Sequence, residues 1–410
     1  MMTFSKNSCA PETIEELSRI LRSTAKGFPV IPWGSGTHQT MGYYWEKSSA
    51  DHDPLLVCSE KLNRIHDFSE KDLTITIEAG TKLNQLQYFL KETNLFFPFY
   101  SPECEKRSLG GILSTASFNL LSYRYGHIRD LVLGLTVCHS DGTITKCGGK
   151  VVKNVSGYEM TKLYTGSFGT LGYLVYCVLR VFPIPEKTIF LCLEMDDIRQ
   201  GIELLNLCFT SNLPLLGGFL KIQLNSHTGQ QPCCQAIFWI SGKEKAAEFI
   251  KNKVCALAQD FQVKPVSELK EEDAKELLKT SNSRNSSEIL CSGFSLPSSF
   301  LDLYEFIKNL SKGLNLDFSL KFSLQGEFSC AWDCGAVNFS DMAVEMMLEK
   351  FKSFNRFVSQ KGGWLSYKKV PLQFWKNWEM WGEERAEWKY SRELKKIFDP
   401  KEILNPGRFV

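Results

Sequence analysis

No stretch of the 410-residue chain holds 18 consecutive apolar residues, the minimum for a membrane-spanning helix, so a spanning segment is excluded. The first residues, MMTFSKNSCAPETIEE, lack an apolar core of leader length, so no secretory leader is expected. Charge of either sign is not in excess: 48 basic against 46 acidic residues, with Lys and Arg scattered rather than striped. A nucleic-acid footprint is therefore absent. Histidine is scarce, with six in the chain and only His227 after Gly172. Cysteine is not scarce, but the closest sets, Cys233-Cys234 and Cys330 with Cys334, have neither zinc nor iron–sulfur spacing. No metal site is expected, and the thiols read as small buried hydrophobes. The expected setting is the cytosol, or a membrane surface reached through a partner.

What the chain does have is glycine in the wrong places for ordinary strands. Between Ser101 and Leu174, seven glycines fall from Gly110 to Gly149 and four more from Gly157 to Gly172, interleaved with apolar runs. Glycine weakens a strand interior, so this density points to a ligand close to the backbone, or else to turns in a loop-rich sheet. A second cluster, GSGTHQTMG at 34–42, follows the short strand predicted at 28–32. Its spacing is not the G-x-G-x-x-G of a dinucleotide fold, and no apolar helix follows directly. Its backbone amides could still cradle a pyrophosphate; a plain surface turn is the alternative.

Around these clusters the local signals are ordinary. Thr13-Ile-Glu-Glu16 is a capping box before Ile14, Leu17, Ile20 and Leu21, and Gly27 closes that helix. Leu55–Cys58 and Leu73–Glu78 read as strands, and a helix follows Thr81 with Leu83, Leu86, Phe89 and Leu90 inward. Residues 135–146 form a hairpin about Asp141-Gly142, and 171–182 a strand stopped by Pro183 and Pro185. That proline pair sets the boundary between a domain at 1–185 and a second at 186–383, with 384–410 returning to the first.

The second region predicts two rounds of a β-α-β-β-α-β pattern, hence an antiparallel sheet with helices on one face. One helix, Lys245–Phe261, is expected to turn Phe249, Val254, Ala258 and Phe261 inward. Phe374, Trp375, Trp378, Trp381 and Trp388 recur near helical spacing and read as core or as a partner surface.

Seven motifs occur in a telling order: WGSGTHQTMG, EAGT, SPECEKRSLGGILST, YGHIRD, GGKVVKNVSGYE, GSFGTLG and FDPKEILNPGR. Through them the chain resembles the FAD-linked oxidases of the vanillyl-alcohol-oxidase, or p-cresol methylhydroxylase, type, and among these the glycolate oxidase FAD-binding subunits. The resemblance implies an α+β chain: an FAD-binding domain of two α/β subdomains plus a cap with a helix-covered antiparallel sheet. It implies that Gly34, Ser35, Gly36 and Thr37 give amides to the FAD pyrophosphate, with His38 in the same loop. It also implies that Pro102, Leu109, Gly110, Gly111, Ser114 and Ser117 line the dinucleotide channel, and that a Cβ on either glycine would clash there. Lys153, Asn154, Val155 and Gly157 would approach the flavin end. Gly169 and Gly172 would let a strand pass close, and Asn405 would sit in the returning turn. Arg129 and Asp130 fit a structural ion pair better than ligands.

The chain departs from that pattern. Trp33 stands where many relatives have arginine, Glu159 replaces an aspartate, and the loop holding His38 is longer, which argues against covalent flavin. The histidine-rich metal motif of related catalytic subunits is missing after Gly172. No catalytic base is assigned; Arg385, Tyr390 and Arg392 are candidate carboxylate anchors. Two flavin readings follow: a subunit holding FAD beside a second flavin or an iron–sulfur subunit, or an autonomous 2-hydroxy-acid dehydrogenase. A flavin-free scaffold is the third reading, and the intact glycine motifs count against it.

Overall fold

The computed structural model describes residues 7–38, 40–42, 53–101, 104–149, 158–224, 233–261, 263, 267–279, 287–335 and 340–409. Its contacts divide the chain into two compact units, one of 1–39, 43–184 and 385–410, the other of 40–42 and 185–384. Among the described residues no helix is long and apolar enough to cross a membrane.

In the first unit the capping signal is obeyed. Thr13 Oγ1 accepts from the Glu16 N–H at 3.2 Å, and the Glu16 carboxylate accepts from Glu12 N–H at 2.8 Å. The helix Ile14–Ser23 follows and buries Ile14, Leu17 and Leu21. It packs with Val30, Val57, Tyr173, Val175, Ile403 and Leu404 in one core. Beside it run three parallel strands in the order Ser8–Cys9, Leu55–Cys58, Val30–Trp33. A second core lies on a five-stranded antiparallel sheet, ordered Ile65–Ser69, Thr74–Glu78, Tyr173–Arg180, Val132–Cys138, Ile144–Gly148. Asp141 and Gly142 do turn the 132–148 hairpin, but within a wider loop: the His139 N–H donates to Thr143 O at 2.9 Å.

The returning segment is tied in by backbone pairing and by a half-buried lysine. Leu404 bridges Val30 in parallel, and Lys401 Nζ donates to the carbonyls of Leu21, Arg22 and Thr24 at 3.2, 2.7 and 3.0 Å. Those oxygens belong to the last turn of the first helix and the residue after it, where a cation satisfies orphan carbonyls.

The second unit holds one antiparallel sheet of eight strands. Its order is Ser267–Leu269, Lys187–Met195, Cys233–Gly242, Gly217–Leu224, Asp317–Ser323, Glu327–Asp333, Glu288–Phe294, Trp364–Lys369. The two predicted rounds are both there, and they meet where Gly217–Leu224 pairs with Asp317–Ser323. Both joining strands are the second of their round, so the halves mirror each other across that seam. One face is apolar and lies under helices. Phe322 stacks on Phe300 with centroids 4.2 Å apart, Trp332 meets Phe351 edge-on at 5.1 Å, and Trp332 Nε1 donates to Ser311 Oγ at 3.0 Å.

One local expectation fails here. Phe249 is 61 % exposed: the helix Glu244–Ala258 buries Ala247, Ile250, Val254 and Ala258 instead, and Phe249 falls off that stripe. The aromatic run is core without being a helix. Pro371 leads into a short 3₁₀ stretch, Leu372–Asn377, after which the chain is extended at Trp378. Phe374, Trp378 and Trp381 are nonetheless buried, and Trp378 packs 4.9 Å from Phe351 and 5.2 Å from Tyr367.

Candidate functional site

A cleft in the first unit gathers four distant segments. It is lined by Ile31 to His38, by Ser108, Gly111, Ser114 and Thr115, and by Phe168, Asn405, Pro406 and Arg408. Each segment is there for a local reason. The parallel strand Val30–Trp33 ends in glycines, so residues 34–38 leave the sheet as an open loop, with Gly36 at φ 67°. Ser108 caps the short helix Leu109–Ser114, its Oγ accepting from Gly111 N–H at 3.2 Å. The terminal turn is held by Asn405, whose N–H donates to Val30 O at 2.8 Å and whose Nδ2 donates to Phe168 O at 2.7 Å.

The loop itself is stitched by polar side chains. Thr37 Oγ1 lies 3.2 Å from His38 Nδ1, Ser117 Oγ 3.3 Å from His38 Nε2, and Thr115 Oγ1 2.7 Å from Ser117 Oγ. The Arg408 guanidinium donates to the His38 carbonyl. Hydroxyls, loop amides, an imidazole, a side-chain amide and a guanidinium thus converge, and among the described residues no carboxylate lines the cleft. That donor set suits an anion with several acceptor oxygens. The enclosed space is about 110 Å³, below the roughly 300–1,000 Å³ of pockets that swallow a drug-sized ligand. It therefore matches one part of a dinucleotide, such as its pyrophosphate.

Of the residues expected from sequence, Gly34, Ser35, Gly36, Thr37, His38, Gly111, Ser114 and Asn405 line this cleft together. Ser117 stands one bond behind His38. Gly169, at φ 68°, abuts Asn405: a Cβ there would lie 3.2 Å from Asn405 Nδ2. Neither of these two lines the cleft itself, and three more do not. Leu109 is fully buried in the neighbouring core. Gly110 sits over Ala79, where an added Cβ would meet the Ala79 carbonyl at 3.1 Å; for Gly111 that Cβ would meet Ser108 Oγ, also at 3.1 Å. Gly172 makes room for Val137, 2.3 Å from an added Cβ, so it serves strand packing. Pro102, Lys153, Asn154, Val155 and Gly157 lie outside the described residues. Arg129 and Asp130 are both exposed, and Asp130 Oδ2 accepts from His127 N–H. Arg385, Tyr390 and Arg392 are exposed too, and none lines the cleft. Sequence reasoning missed Ser108, Thr115, Phe168 and Arg408, although each stands inside a quoted motif.

The comparisons agree with this geometry. Residues 7–148 match a family described as FAD binding domain. The chain carries an FAD-binding domain. It is 32 % identical over 191 residues to glycolate oxidase subunit GlcD of Bacillus subtilis, covering 46 % of this chain and 40 % of that protein. It is 31 % identical over 195 residues to a D-2-hydroxyglutarate dehydrogenase of Xanthomonas citri, covering 47 % and 40 %. The match thus spans about two fifths of these relatives' lengths. An alkyldihydroxyacetonephosphate synthase structure superposes with a TM-score of 0.71 at 15 % identity, over 97 % of this chain and 75 % of that one. A 4-ethylphenol oxidase from Gulosibacter chungangensis gives 0.71 at 14 %, over 98 % and 88 %. At that identity the likeness is one of fold, and it is the α+β fold of this FAD-binding class.

A first prediction arises at Gly34. A Cβ there would come within 2.1 Å of Ser108 Oγ, pushing the loop away from the helix cap it rests on. Gly34→Ala is expected to fold yet bind FAD about tenfold more weakly, about 1.4 kcal/mol, as read by fluorescence titration of flavin-free protein. Unchanged affinity would show that the loop does not contact the cofactor.

Proposed function

We propose that this chain is an FAD-dependent oxidoreductase acting on a small 2-hydroxy acid as one subunit of a larger dehydrogenase. The carrying observation is the donor-rich cleft, without a carboxylate among its described residues, at the junction of four motifs in a domain of the FAD-binding class. In this reading the amides of Gly34–His38 and the hydroxyls of Ser35, Thr37 and Ser114 hold the pyrophosphate, with Arg408 fixing the loop through the His38 carbonyl. When bound, the flavin supplies the hydride acceptor. The second unit is the part that meets the substrate or the partner.

Two features favour a subunit over an autonomous enzyme. One similar protein is itself named a subunit, and the sequence of the second unit holds a single histidine, His227, where histidine is the usual base near neutral pH. The test is anaerobic mixing of the FAD-loaded protein with glycolate or D-lactate, followed by flavin absorbance. Bleaching by the complex copurified from its host, but not by the isolated chain, is the expected outcome. Bleaching by the isolated chain would overturn the need for partners, and no bleaching in either form would overturn the substrate class. A colourless protein that takes up no FAD would overturn the flavoenzyme reading altogether.

A further inference from the structure

The face of the second unit's sheet turned away from Phe322 and Trp332 is polar along a line, and the middle of that line is buried beside the end of the helix Glu271–Leu277. Paired registers connect Glu194, Gln235, Lys221, Lys321, Ser329, Ser292 and Ser366 across seven neighbouring strands. Residues directly opposite in register point to the same face, so these side chains form one transverse row. Its middle is shielded: Lys221 is 7 % exposed, Lys321 4 % and Ser329 8 %. The mirrored arrangement of the two rounds places the two lysines face to face at the seam, each on the second strand of its round.

Such a pair is costly as mere structure. Like charges directly opposite on a sheet repel, and burial penalises each ammonium further. The lysines do have neighbours: Lys321 Nζ donates to Leu278 O at 2.7 Å, Glu276 acts on Lys221, and Glu327 with Lys368 acts on Lys321. Burial nonetheless lowers the pKa of both. Next to Lys321 on the same face, Ser319 Oγ is shielded from solvent and has no hydrogen-bond partner among the described residues. Buried hydroxyls are nearly always satisfied. An orphan hydroxyl beside two opposed amines, each able to take up a proton as an anion arrives, is the complement of a small anion with several acceptor oxygens.

We propose that Lys221 and Lys321, with Ser319 beside them, hold the carboxylate of a small organic acid on this face. This deepens the hydroxy-acid reading above and rests on it for the identity of the acid, while its test needs no turnover. A planar carboxylate can accept from both ammonium groups and from the hydroxyl at once, neutralising the repulsion across the seam. It would bind where the two halves join, and its affinity would depend on both rounds of the fold.

Oxalate is a suitable probe because it carries two carboxylates and no oxidisable C–H. Thermal unfolding of the flavin-free full chain is expected to shift upward saturably with millimolar oxalate. Lys221→Met and Lys321→Met should each weaken that response about tenfold or more, and Ser319→Val should weaken it as well. Lys361→Met, which removes an exposed lysine paired with Asp302, should respond as wild type. A wild-type-like far-UV circular dichroism spectrum and urea transition of the second unit show each variant to be folded, and uptake of FAD by the first unit, read by absorbance, should be unchanged in every variant. If Lys321→Met is not folded by the first of these measures, the Lys221→Met and Ser319→Val titrations decide. A flat response of the wild-type chain would overturn the proposal, as would variants that respond like wild type. Equal stabilisation by inorganic phosphate would overturn the carboxylate assignment. A chain that fails with oxalate yet loads FAD leaves the flavoenzyme reading standing, so the two failures are separable.

Discussion

Asp399→Ala is expected to destabilise the first unit by about 3–5 kcal/mol, the usual cost of stranding one partner of a buried ion pair. For a unit of this size that corresponds to a fall in Tm of the order of 10 °C. Asp399 is fully buried, and its oxygens accept from the N–H groups of Ile403 and Leu404 at 3.2 and 2.9 Å and from the Lys395 ammonium. Lys395 Nζ also donates to Thr170 O at 2.8 Å and Leu404 O at 2.6 Å. The pair thus locks the terminal turn to the loop before the strand Tyr173–Arg180. Ile403 and Leu404 in turn pair with Val30, the strand that delivers the cleft loop, and Asn405 follows at once. Loss of Asp399 should therefore cost FAD affinity along with stability. Replacing both partners, Lys395→Met with Asp399→Leu, leaves no stranded charge, so the double variant should be clearly more stable than Asp399→Ala. Thermal unfolding of the three proteins checks this. A double variant as unstable as the single would mean that the hydrogen bonds to Ile403 and Leu404, rather than the charge pair, carry the clasp.

That clasp also marks where sequence reading stops. Local signals were legible because they act over a few residues. Thr13 and Glu16 announce a helix, Asp141-Gly142 a hairpin, and glycines after a short strand an open loop. The cleft was half legible for the same reason: the loop 34–38 and the segment at Gly111 and Ser114 advertise themselves by composition. Arg408 and Phe168 do not, since their roles come from a turn that returns after more than 200 intervening residues. Glycine misled in the opposite direction. Gly110 and Gly172 read as room for a ligand, whereas the neighbour each accommodates is protein, Ala79 and Val137. A missing Cβ records a close approach without naming what approaches. Helix phase was the other weak point: Phe249 differs from the buried Ile250 by one residue, or about 100° of rotation. The row through Lys221 and Lys321 was hidden altogether, because register between strands a hundred residues apart is decided by packing.

Lys321 then makes the second large prediction, a pH slope. Its amine is fully buried, and burial first, with Lys368 and Lys221 adding to it, lowers its pKa from 10.5 to about 7. The unfolded chain exposes the same lysine at its ordinary value. Between pH 7 and 10.5 the unfolded state therefore binds a proton that the folded state does not, and stability rises with pH across that window. The rise is at most about 1.4 kcal/mol per pH unit from this group. Lys221, also lowered by burial, adds in the same direction. Urea unfolding of the second unit's transition at pH 7 and pH 9 should show wild-type stability increasing. Lys321→Met should lose about 2 kcal/mol of that increase and be the more stable protein at pH 7, despite losing the bond to Leu278 O, worth about 1 kcal/mol. A variant with the wild-type slope would mean that Lys321 stays charged when folded, its desolvation offset by Glu327 and the Leu278 carbonyl. With oxalate present the argument reverses: an anion on the seam favours the protonated amine, so the wild-type slope should flatten while that of Lys321→Met stays as it was.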